Sequence, residues 1–232
     1  MKKILIVFSL ITLLCLTSCS NAAKSNTQPT NTSQNVSIDY TALIPAKMKS
    51  TTVPNMGVGC MIAPYRTDAE MYDVDNAIVI RGEVVDSSYY LDDTASVYTM
   101  SEVSIISCYK GDLEEGSVIK VREMGGFIPR GVLSNAISLE KFGVESDFKD
   151  DTEILDMRDC GNKVMEKGEK VILFLVKADD FYDPLRAWQG KLLYDEDTQL
   201  YVPYVPEEEI DLIDAKAYTL EEFESFVETM KK

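Results

Sequence analysis

The stretch that most constrains this 232-residue chain is Ser96–Tyr109, where side chains of two kinds alternate without interruption. Thr99, Ser101, Val103 and Ile105 share one face of an extended segment, and Met100, Glu102, Ser104 and Ile106 share the other. Period-two alternation of this length predicts a long, half-buried β-strand. Comparable segments lie on either side. Ala77–Val85 is β-branched, with Gly82 marking a bulge or sharp bend. Ser117–Glu123 alternates, and Lys170–Val176 is a continuous apolar run that reads as a strand buried on both faces. Gly190–Tyr194 and Leu200–Tyr204 flank Asp195–Gln199 as a hairpin, its second arm limited to an edge by Pro203. Helices are few. Thr67–Glu70 and Thr219–Glu222 are capping boxes, and the second opens a C-terminal helix with Leu220, Phe223, Phe226, Val227 and Met230 on one stripe. The prediction is a mainly β body, a small barrel with a C-terminal helix packed against it. Residues 125–159 form a long insertion with a short helix near 135–142, and Gly125-Gly126 reads as the loop entry.

The N-terminus addresses the body rather than joining it. Met1-Lys2-Lys3 is followed by a nearly unbroken apolar run, Ile4–Leu16, too short to span a bilayer but the right length for a secretory signal. Leu16-Thr17-Ser18-Cys19 then resembles a bacterial lipobox. That resemblance implies cleavage of residues 1–18, diacylation of Cys19 and display on the extracytoplasmic face of a membrane. Two acyl chains make a stable anchor. Residues 19–55 are read as a tether: Ser20–Ser37 is mostly Ser, Thr, Asn and Gln, and 38–55 is more mixed. Some thirty flexible residues span roughly 30 Å. The domain then runs over 56–232.

Composition narrows the chemistry. The chain has 23 Lys and Arg, 39 Asp and Glu and no histidine, a net charge of −16. Removing Lys2 and Lys3 with the signal takes this to −18. An anionic leaflet repels such a body, so lipid and not a basic patch must hold it. Nucleic acid is excluded as a partner on the same ground. Without histidine there is no Ser-His-Asp triad, Cys-His pair or histidine-ligated metal. No catalytic residue, metal ligand or cofactor motif is assigned. The acid clusters Asp92-Asp93, Asp147/Asp150/Asp151, Asp179/Asp180/Asp183 and Asp195-Glu196-Asp197 fall in turns, where aspartate serves the backbone. Asp195–Asp197 starts like a calcium loop but has Leu200 where the glycine belongs. Tyr89, Tyr90, Tyr98 and Trp188 are either a stacking platform or core and rim.

Four spans, in order, carry a wider resemblance: Asp75–Gly82 followed by Tyr109-Lys110-Gly111, then Cys160-Gly161, then Gly168–Phe174. This order resembles the netrin-like modules of tissue inhibitors of metalloproteinases and related bacterial lipoproteins, over residues 60–177. The resemblance implies a five-stranded OB-type barrel and a disulfide between Cys60 and Cys160, with Cys108 left as a small core residue. Closing a loop of about 100 residues stabilises by up to about 4–5 kcal/mol in the chain-entropy model. The inhibitors of that family chelate zinc through the α-amino group of their first cysteine. Cys60 has some forty residues between it and Cys19, so its nitrogen lies in a peptide bond, and the resemblance implies a fold and not that activity. The expectation for function is a lipid-anchored, non-enzymatic binding module facing an envelope protein, a peptide or a glycan, its ligand-binding residues unassigned. Protease inhibition through a barrel-edge loop is the alternative, and carboxylate-dependent hydrolysis of wall glycan a second one. The latter needs two acids converging in one pocket.

Overall fold

The computed structural model describes residues 37–45, 50–53, 67–136, 153–158, 162–204 and 216–232. The chain divides into two units, 1–34 and 35–232, and every described residue belongs to the second. Residues 1–18, Cys19, Cys60 and Cys160 lie outside the described residues, as do Asp147, Asp150 and Asp151. Cys108 is a free, half-buried thiol.

Among the described residues the body is mainly β, with three short α-helices and a 3-10 turn at Thr41–Leu43. Its strands are β1 (Ile38–Asp39), β2 (Ser50–Val53), β3 (Ile78–Leu91), β4 (Val97–Lys110), β5 (Val118–Pro129), β6 (Ile154–Arg158), β7 (Lys170–Ala178), β8 (Phe181–Pro184), β9 (Lys191–Asp195) and β10 (Leu200–Pro203); its helices are α1 (Asp68–Tyr72), α2 (Arg130–Ala136) and α3 (Leu220–Met230). Five strands pair in a ring, β3 to β4, β5, β8, β7 and back to β3. All neighbours are antiparallel except β5 and β8, which meet in parallel at one pair, Val121 and Tyr182. The expected small barrel is thus a ring completed by a single rung.

The alternation in β4 does what its pattern dictates. Val97, Thr99, Ser101, Val103 and Ile105 are buried, while the residues between them are at least partly exposed. Val103 and Ile105 join Ile80, Val84, Ile119, Val121, Met165, Val171, Leu173 and Leu175 in the cluster inside the ring. The continuous apolar run of β7 has two faces to cover. Val171, Leu173 and Leu175 point into the ring, and Ile172 and Phe174 point out beneath the helices. That outer layer contains α1, β9, β10 and α3. Both halves of the Thr219–Glu222 capping box are formed, and Phe223 and Val227 are buried. Phe223 meets Phe174, Tyr109 and Tyr218 edge-on, with centroids 5.4–6.1 Å apart. Tyr109-Lys110-Gly111 closes the same layer. Lys110 Nζ donates to the carbonyls of Tyr72 and Val74, satisfying the C-terminal end of α1, and lies 5.0 Å from the Tyr72 ring centroid.

Two expectations about boundaries are corrected. Gly125-Gly126 is no loop entry: it lies inside β5, with φ of 95° and 132°. Up to Met124 the strand pairs with β4; from Gly125 to Pro129 it pairs with β6. The two glycines turn the strand from one sheet to the other. A Cβ on Gly126 would stand 2.2 Å from Thr99 Oγ1, so no larger residue fits. Residues 125–129 and 154–158 therefore form a ladder, and a short helix follows at Arg130–Ala136; residues 137–142 of the expected helix near 135–142 lie outside the described residues. The second correction concerns the tether. Residues 38–45 and 50–53 pack on the body: β1 pairs with β3, and β2 runs parallel to β6. Tyr40 and Val53 are buried with Tyr89, Leu91, Phe127, Leu133, Leu155 and Met157. Single apolar residues among polar ones hid this contribution.

Candidate functional site

Beyond the rung at Val121–Tyr182, β5 and β8 part. A pocket of about 170 Å³ opens there, lined by Arg122, Glu123 and Met124 of β5, Asp183 and Pro184 of β8, Asn162, and Ala187 of the turn after β8. Its floor and rim differ in character. Glu123 and Asn162 are 4% and 2% exposed and form the floor. The Arg122 and Asp183 side chains are 39% and 30% exposed and form the rim.

Every charge lining this pocket is already matched. Arg122 holds Asp183 through two parallel hydrogen bonds, Nε to Oδ1 at 3.0 Å and Nη2 to Oδ2 at 2.9 Å. The same guanidinium lies over the Phe181 ring, 4.3 Å from its centroid. Below, Lys191 Nζ donates to Glu123 Oε1 at 2.5 Å and to the Lys163 carbonyl. The other oxygen of Glu123 accepts the Met165 backbone N–H at 2.8 Å. This network ties β5, β9 and the segment before β7 together beneath the pocket.

One polar atom is left unmatched. The Asn162 side-chain oxygen is buried, and among the described residues nothing donates to it. A buried acceptor without a partner costs about 1–3 kcal/mol. The turn that forms the opposite wall is strained as well. Arg186 and Ala187 are consecutive non-glycine residues with φ of 52° and 55°. Each such residue costs on the order of 1–2 kcal/mol. Buried Trp188 and Gln189 follow them and anchor the turn. Unmet polarity and backbone strain at one pocket are the features expected of a binding site.

A second recess, of about 360 Å³, is lined by Thr41, Ile44, Pro45, Asp86, Ser87, Tyr89, Phe127, Glu166 and Lys167. Asp86 pairs there with Lys167 at 3.5 Å, and Glu166 with Lys163 at 2.9 Å. These acids are largely exposed and lack the enclosure of the first pocket.

The residues singled out from sequence fall mostly elsewhere. Asp92 Oδ1 accepts the backbone N–H groups of Thr94 and Ser96, and Asp195 Oδ1 those of Asp197 and Thr198, so both shape turns. Tyr90 and Tyr98 stack on one another across β3 and β4 at 5.2 Å, while Tyr89 is buried against Phe127. With Trp188 in a different turn, the four aromatics do not assemble into one platform. Among the described residues of the acid clusters, only Asp183 lines the enclosed pocket. Glu123 and Asp183 do converge there, and a cation holds each: Lys191 on Glu123 and Arg122 on Asp183. Sequence reasoning missed Glu123, Asn162 and Lys191. The one available signal was a lysine and an acid inside predicted strands where neighbouring positions are apolar.

No protein family, curated protein or solved structure matches this chain, so the functional reading rests on the residues and their geometry.

Proposed function

We propose that this protein is a lipid-anchored binding module of the bacterial envelope, held on the extracytoplasmic face by acyl chains on Cys19, with the pocket between β5 and β8 as its ligand site. The observation that carries the binding part is the buried, unmatched oxygen of Asn162 in a pocket whose charges are otherwise paired. A catalytic pocket requires groups free to exchange protons or attack. Here the acids are clamped, and the unmet demand is for a hydrogen-bond donor, which a bound molecule supplies. The lipobox and the polar spacer carry the anchoring part. With Ile38–Asp39 paired to β3, the segment read as a tether ends before Ile38.

Metabolic labelling with a radioactive fatty acid tests the anchor. Wild-type protein takes up label and sediments with membranes, and Cys19→Ala does neither. Label on the Cys19→Ala variant contradicts the assignment. Incubating the purified full chain with wall glycan tests the non-enzymatic reading. Release of soluble fragments that is lost on Asp183→Asn would replace binding by hydrolysis.

A further inference from the structure

We infer that the β5–β8 pocket takes the aromatic side chain of a peptide or protein partner, one that brings a single neutral donor such as the tyrosine hydroxyl. The inference rests on reading the pocket as a ligand site and names what fills it.

Four observations converge on this class. The first is size. About 170 Å³ is close to the ~150 Å³ apolar cavity that admits a benzene ring. One ring fits, and a longer ligand must leave its remainder outside. The second is charge. Arg122 is matched by Asp183 and Glu123 by Lys191, so a charged ligand would pay desolvation with no free counter-charge to meet it. A neutral group suits the site.

The third is hydrogen-bonding capacity. On the floor, both oxygens of Glu123 are engaged, and the Asn162 oxygen is the acceptor without a donor. A sugar ring presents several hydroxyls and would leave most of them unmet against walls of Met124, Pro184 and Ala187. A phenol presents one donor on an otherwise apolar body. The fourth is the chemistry of the walls. A methionine thioether packs well against an aromatic edge, and a guanidinium against its face. Arg122 already lies over Phe181 at the rim, so an incoming ring would extend that stack. Aromatic anchors seated in small, desolvated pockets are also what concentrate binding energy at protein interfaces.

The test uses the full-length chain in detergent and follows Trp188, the chain's single tryptophan, which adjoins Ala187 in the pocket wall. The probes are N-acetyl-tyrosinamide, N-acetyl-phenylalaninamide and N-acetylglucosamine, titrated into the millimolar range. The tyrosine amide should shift Trp188 emission saturably. The phenylalanine amide, lacking the donor, should bind at least about fivefold more weakly. Asn162→Leu should bring the two amides to equal affinity. Ala187→Phe should fill the pocket and abolish both responses, and it keeps the test decisive if Asn162→Leu does not fold. Equal binding of the two amides by the wild type overturns the donor requirement. Saturable binding of N-acetylglucosamine without the tyrosine amide overturns the partner class and leaves the pocket as a ligand site. No response to any probe, unchanged by Ala187→Phe, removes both the inference and the reading beneath it.

Discussion

Lys191 and Glu123, 68 residues apart in the chain, meet at 2.5 Å where neither side chain has appreciable contact with solvent. The pair is the keystone beneath the pocket, because its remaining bonds reach the backbone of Lys163 and Met165. Removing one partner strands the other charge in the interior, at a cost of about 3–5 kcal/mol. Lys191→Met and Glu123→Leu should each lower stability by that order. The double variant should recover a large part of the loss, since two apolar side chains replace a matched pair. Denaturant titration of the four proteins measures the coupling directly. Additive losses would show that the two residues act independently.

Gly126 makes the bend that carries β5 from the ring to the second sheet. Gly126→Ala places a Cβ against Thr99 Oγ1 on a backbone with φ of 132°. Both effects are destabilising, and together they should cost more than about 2 kcal/mol. Gly116→Ala is the control. It lies in an exposed turn with φ of 83° and nothing within 4 Å, so it carries strain without the clash and should lose less. Thermal unfolding of the two variants separates the contributions.

The C-terminal helix belongs to the core. Phe223 is fully buried and contacts aromatic rings from β4, β7 and the segment before the helix. Phe223→Ala should cost about 3–5 kcal/mol. Thr219→Ala removes the acceptor for the Glu222 N–H and should cost about 1 kcal/mol. A Phe223→Ala variant with an unchanged unfolding midpoint would mean that the helix is peripheral.

Alkaline pH should unfold the protein earlier than its charge alone implies. Burial pushes the Tyr89 and Tyr109 hydroxyls up to about 12, and the buried Tyr40 hydroxyl is raised in the same direction. In the unfolded chain these phenols ionise near pH 10. Between about 10 and 12 the unfolded state loses protons that the folded state keeps, so stability is complete below pH 10 and declines as pH rises. Unfolding midpoints and phenolate absorbance should move together across that window. Tyr89→Phe should flatten part of the decline. Stability that is constant from pH 9 to 12 would contradict the burial of these hydroxyls.

The strands were legible in the sequence because each carries its own period. Alternation in β4 and the apolar run of β7 report their surroundings residue by residue. Both capping boxes are likewise local, and Thr67 and Thr219 accept the N–H bonds their spacing predicts. What escaped is non-local or too short. β8 has four residues, one of them proline, with no pattern to mark it. Gly125-Gly126 carries turn chemistry, yet its use as a bend within a strand depends on partners β4 and β6, which lie far off in sequence. The pocket suffers most from this limit. Its residues come from β5, β8, the turn beyond β8 and the segment before β7, and the unmatched state of Asn162 exists only once all four are assembled.

Site-specific photocrosslinking in intact envelopes probes the β5–β8 pocket in place. A photoreactive phenylalanine replaces exposed Arg186, beside the pocket mouth, or exposed Glu114, in the turn between β4 and β5. Position 186 should give a discrete adduct that excess N-acetyl-tyrosinamide suppresses, and position 114 none. No adduct at 186, or the same adducts from both positions regardless of competitor, would contradict a ligand site between β5 and β8.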